Sequence, residues 1–169
     1  MSGMTEIRVY FQFSVLSFQF FRTENCMFRL LSFIAFVFIF SLGISAQSVY
    51  TPEKGSPERN AILDALRIPV ERDLKQKVMF VADSFKVQGT WAFVSGTPQN
   101  STGGDPDYSK TKYADQFDTG AFDNNFFALL RKSAGKWKVT HYLIGCTDVC
   151  YADWWKRYKA PKAIFPYME

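Results

Sequence analysis

Histidine and cysteine are both scarce in this chain, and their scarcity removes several kinds of chemistry. There is one histidine, His141, and there are three cysteines, Cys26, Cys146 and Cys150, among 169 residues. Structural zinc asks for four N or S ligands; outside the first 46 residues only His141, Cys146 and Cys150 are available, so no metal centre is expected. The chain has no glycine-rich phosphate loop, no G-x-S-x-G and no H-E-x-x-H, which leaves no motif for nucleotide binding, an elbow serine or a zinc protease. Basic residues never run longer than two together. A nucleic-acid reader concentrates them in a stripe, so nucleic acid is not an expected partner. Internal repeats and low-complexity tracts are missing too.

Apolar residues, by contrast, are distributed very unevenly. Ten of the 18 phenylalanines lie before residue 41, and residues 30–42 read LLSFIAFVFIFSL without a charge. Arg29 precedes that run, and Gly43, Ser45 and Ala46 follow it. A basic start, an apolar middle and a small residue at the end define a secretory leader. Residues 1–46 are therefore expected to be a leader cleaved after Ala46. Read from Met27, the chain begins MFRLLSFIAFVFIFSLGISA, so translation is expected to start there. The apolar run is shorter than the roughly 20 residues of a spanning helix, which favours removal over a retained anchor. No cysteine follows the run to carry a lipid. The expected location is periplasmic or secreted, with membrane contact only through the leader. Twenty basic residues less the three before residue 47 leave 17, against 14 acidic ones.

Residues 47–55 read as a flexible lead-in to a single domain over 56–169. Ser56-Pro57-Glu58 supplies an N-cap, a first-turn proline and a first-turn acid. A helix is expected over 57–67, ended by Pro69, with a second short turn over 70–76. Alternating β-branched and aromatic residues predict strands at 78–87, 90–96, 126–132 and 137–145, paired as two hairpins about Gln88-Gly89 and SAGK. Residues 97–124, rich in Gly, Pro, Asn, Asp and Ser, predict a long loop, with some turn structure at Tyr108–Gln116. Tyr151, Trp154, Trp155 and Tyr158 recur at helical spacing and predict a C-terminal helix with one aromatic face. The expected fold is α+β: an N-terminal helix pair and a C-terminal helix on a curved antiparallel sheet of about four strands.

The stretches SPERNAILDALRIPVERDL, VMFVADSFKVQGTWAFVSGTPQ and FFALLRKSAGKWKVTHYLIGCTDVCYADWWKRY resemble a family of small uncharacterised exported bacterial proteins, over most of residues 56–158. The element order also resembles the cystatin-like cone fold of nuclear-transport-factor-like and polyketide-cyclase-like proteins. That likeness implies a sheet whose concave face lines a pocket, and it implies little about activity. The exported family tends to carry prolines where this chain has Cys146 and Cys150, so the cysteines are not a feature the resemblance supplies.

Several constellations remain for chemistry. In an oxidising compartment Cys146 and Cys150 are expected to pair, provided their Cα atoms lie within about 7 Å. Strand alternation puts Asp83 on one face with Met79, Val81, Phe85 and Val87. It puts His141 with Trp137, Val139 and Leu143. If both faces point inward, a carboxylate and an imidazole share a pocket and can move a proton; a bulge at Asp83-Ser84 would instead place Asp83 in solvent. Tyr142, of opposite parity, faces a helix or solvent. Trp91, Trp154 and Trp155, with Tyr142, form a candidate binding set, with core packing as the competing role. Asp105 and Asp107 behind Gly103-Gly104 lack the ligand spacing of a calcium loop. Three functions follow: a non-catalytic exported domain binding an apolar small molecule or an envelope partner; a small cone-fold lyase, isomerase or hydrolase using Asp83 and His141; and a structural accessory protein using the aromatic helix as contact surface. None calls for a cofactor.

Overall fold

The computed structural model describes residues 47–168, and the proposed leader and start at Met27 lie outside them. Residues 47–169 make one compact unit with its own core. Helix α1 spans Pro57–Leu74. Strands β1 (Met79–Gln88) and β2 (Trp91–Gln99) form the first hairpin, and a short helix α2 (Ala114–Asp118) lies in the loop that follows. Strands β3 (Phe126–Ser133) and β4 (Lys136–Ile144) form the second hairpin, and helix α3 (Trp154–Tyr158) and a 3-10 turn at Lys162–Ile164 close the chain. The sheet is antiparallel in the order β1-β2-β3-β4, confirming the α+β class. It is not strongly curled, unlike the curved sheet expected.

Helix α1 starts as its sequence dictates: the Ser56 hydroxyl oxygen accepts from the Arg59 N–H at 3.3 Å, and Pro57 opens the first turn. It does not stop at Pro69. The expected helix pair is one continuous helix, capped by Lys75 in the left-handed region with φ 55°. A proline inside a helix costs about 3 kcal/mol. Ending the helix there would uncover Val70 and Leu74, which are 0% and 1% exposed, and burying two such side chains contributes roughly 3–6 kcal/mol. Packing therefore outweighs the local break.

The hairpin turns follow from residue type. Gly89 sits first in a two-residue turn with φ +60°, and Ala134-Gly135 have φ +48° and +76°, the positive values that tight hairpins need. Strand β2 runs three residues past the expected end. Its Pro98 faces only β1, because β3 stops opposite Gly96, so the missing N–H breaks no ladder on the β3 side.

Each face of the sheet carries a packed layer. Ile62, Leu66, Val70 and Leu74 of α1 pack on Phe85, Val87, Ala92, Val94, Ala128 and Leu130. On the opposite face Tyr151, Trp154, Ile164 and Phe165 pack on Phe93 and Leu129. The loop after β2 is also anchored: Tyr108 is buried, its ring meets Phe122 at 4.5 Å, and Gln76 exchanges two hydrogen bonds with the Asp107 backbone. The lead-in 47–55 is tied down as well. Tyr50 exchanges backbone hydrogen bonds of 3.0 and 2.8 Å with Val87, and Pro52 is buried.

Each outer strand carries a bulge, and each bulge falls beside a residue singled out in the sequence. In β1 the register shifts between Ala82 and Ser84, so Asp83 is the extra residue. Upstream of it the inward residues are Phe80 and Ala82, while Met79 and Val81 are exposed; downstream they are Phe85 and Val87. The four-residue face expected on one side is thus split. In β4 the extra residue is Thr140, opposite Leu129 and Leu130. Trp137 and Val139 face α1, whereas Leu143 packs in the C-terminal layer.

Candidate functional site: a groove beside strand β4

A groove of about 510 Å³ opens beside β4. Its walls are Pro69 and Asp73 of α1, Lys112 and Tyr113 of the long loop, and all six residues from Val139 to Ile144. Neighbouring residues of a strand point to opposite faces. A cavity that touches every one of six successive residues therefore follows the strand's edge. Among the described residues no further strand lies beyond β4. Among the described residues, no backbone hydrogen bond outside the sheet ladder reaches Val139–Ile144.

Asp73 is the polar centre of the groove. Its side chain is 11% exposed, and its Oδ2 accepts from Lys112 Nζ at 2.6 Å and from the Tyr142 hydroxyl at 2.6 Å. Arg72 Nε lies 3.5 Å from the other oxygen. Burial works against the charge of Asp73, but the hydrogen bonds from Lys112 and Tyr142 outweigh it and hold the carboxyl below its ordinary pKa. Tyr142 is pushed up to about 12, first by burial and then by the Asp73 carboxylate. Its phenol stays protonated and donates to Asp73. Asp73 is thus a clamp joining α1, the loop and β4, and Tyr142 cannot serve as a base near neutral pH.

The structure does not bring Asp83 and His141 together. Asp83 is exposed on the bulge of β1 and His141 sits on β4, at the opposite edge of the sheet. The imidazole meets Trp154 edge-on at 4.9 Å and stacks on Tyr158 at 5.5 Å. Burial and then the Arg157 charge lower its pKa, against a smaller opposite pull from Asp153; it is neutral at physiological pH. Asp83 instead borders a smaller pocket of about 360 Å³ with Arg59, Lys54 and Lys86.

The other candidates separate as follows. Trp154 is 1% exposed and belongs to the core of the C-terminal layer. Trp155 is half-buried, with Lys162 Nζ 3.7 Å from its ring centroid. Trp91 is half-buried under Arg131. Only Tyr142 of that set lines the groove. Cys146 and Cys150 are bridged, their Cα atoms 6.5 Å apart. Among the described residues no group of three or more His, Cys, Asp or Glu side chains gathers to hold a metal. Asp73, Lys112 and Tyr113 were not singled out in the sequence. Comparison with family models, curated proteins and solved structures finds no match to this chain.

Proposed function

We propose that this domain is an exported, non-catalytic binding module that takes an extended segment of an envelope protein along the edge of β4. One observation carries this reading: the groove is lined by six consecutive residues of an outer strand whose far side makes no backbone hydrogen bond among the described residues. An added strand gains main-chain hydrogen bonds there, and alternate side chains find the flanking walls. Pro69, Tyr113 and Leu143 offer apolar contact. An apolar small molecule is the less favoured ligand, because Phe, Trp and Leu side chains of the chain itself pack on both sheet faces. The acid–base alternative lacks a pair, with its two residues on opposite edges.

The test is to pan residues 47–169 against a displayed library of random peptides and to map the selected peptides by amide chemical-shift changes. Support is perturbation centred on Val139–Ile144, with at least tenfold weaker binding by Thr140→Pro and unchanged binding by Asp83→Ala. Peptides that map to α1 or β1 overturn the reading, as does a library that yields no binder. The mapping uses the unaltered sequence, so it decides the question even if the proline variant unfolds.

A further inference from the structure

The sheet face beneath the C-terminal layer is covered only in part. Cross-strand pairing sets Gln88, Trp91, Arg131 and Lys138 side by side in one row, near the hairpin turns. Adjacent strands lie about 4.8 Å apart, so the row crosses the whole sheet. Lys136 shares this face, since Trp137 and Val139 on either side of Lys138 point to α1. Arg157 of α3 is close enough to His141 to lower its pKa, and Lys156 and Lys162 lie over the Trp155 ring.

These six cations, Arg131, Lys136, Lys138, Lys156, Arg157 and Lys162, are all exposed, and none has an ion-pair partner among the described residues. Against them the described C-terminal segment, residues 146–168, sets two carboxylates, Asp148 and Asp153, and it adds one further exposed cation, Lys159, so positive charge predominates there. Between the cations stand half-buried Trp91, Trp155 and Tyr158, with Tyr167 49% exposed just beyond.

We propose that this side docks on an anionic phospholipid surface. Charge complementarity supplies the attraction, and Lys and Arg near such a surface each add to it. Tryptophan and tyrosine place an apolar body and a polar tip at the headgroup level. That second feature favours a bilayer over a soluble polyanion, which needs the cations alone. Because the sheet is not strongly curled, Arg131 and Lys138 on adjacent strands meet a plane together. The proposal does not depend on the β4 groove.

Vesicle flotation of residues 47–169 tests the proposal, because this segment lacks the apolar run of residues 30–42. Vesicles of phosphatidylcholine with one quarter phosphatidylglycerol should hold the protein at least tenfold better than pure phosphatidylcholine. Binding should vanish in 0.5 M salt, where screening is short-ranged. Arg131→Glu with Lys138→Glu should weaken it at least tenfold. Lys54→Glu with Lys110→Glu makes the same net-charge change at exposed residues outside this face and should leave it within threefold. Equal loss in the two double variants overturns the proposal, as does equal binding to neutral vesicles. Retention by heparin or double-stranded DNA with no vesicle binding assigns the face to a soluble polyanion and overturns it too.

Discussion

Removing the Asp73 carboxylate should loosen the groove wall by an amount the structure allows to be worked out. Asp73 accepts two hydrogen bonds from elements far away in the chain, Lys112 and Tyr142. The Lys112 side chain is 60% exposed, so that contact behaves as a surface ion pair, about 0.2–1 kcal/mol. The Tyr142 bond reaches a largely buried charged acceptor and contributes about 1.5–3 kcal/mol. Asp73→Ala should therefore lower stability by about 2–4 kcal/mol, and Tyr142→Phe by about 1.5–3 kcal/mol. At roughly 3–6 °C per kcal/mol for a domain of this size, the first variant should melt about 6–24 °C lower. Urea titration at pH 7 of both single variants and the double variant gives the coupling, expected at about 1 kcal/mol or more. The pH dependence has a fixed sign. The carboxyl of Asp73 is held below its ordinary pKa of 3.8, so its stabilisation is complete above that value and fades as pH falls through the lowered one. Strict additivity of the two single variants would refute the clamp, as would a pH profile in Asp73→Ala that matches the parent between pH 2 and 4.

Two further outcomes are expected. Reducing the Cys146–Cys150 bridge, which spans a sequence separation of four, should cost about 2 kcal/mol by the loop-entropy relation; an unchanged urea midpoint in reductant argues against it. Gly145 has φ +78°, and the Phe122 ring occupies the place a Cβ would take. Gly145→Ala should therefore destabilise by about 2–4 kcal/mol, the left-handed penalty plus displacement of the ring, and a melting temperature within 2 °C of the parent would contradict that.

Much of the scaffold was legible locally. The four strands, both hairpins, the Ser56 cap and the cysteine bridge each rest on residues close in sequence, and they appear where local chemistry puts them. The bulge at Thr140 was not legible, and the one at Asp83 stood only as the alternative to unbroken alternation, the alternative that the structure bears out. Alternation assumes an unbroken period of two, and a single extra residue at Asp83 or Thr140 moves everything beyond it to the other face. That is why Asp83 and His141 looked like partners. Pro69 misled for the converse reason, since its local cost is outweighed by contacts that α1 makes only once the sheet exists. The clamp was invisible because Asp73 meets Lys112 across 39 positions and Tyr142 across 69. One partial signal was present: the parity of Tyr142 left it facing a helix or solvent, and it meets Asp73 of α1.

The two margins of the sheet are unequal, and this governs how copies of the domain can associate. Both outer strands carry a bulge, but Tyr50 also pairs with Val87 on the margin of β1, whereas among the described residues nothing pairs with the margin of β4. Two copies joined bare margin to bare margin would present only blunted ones outward, so edge-wise accretion stops at a pair instead of running on into a fibre.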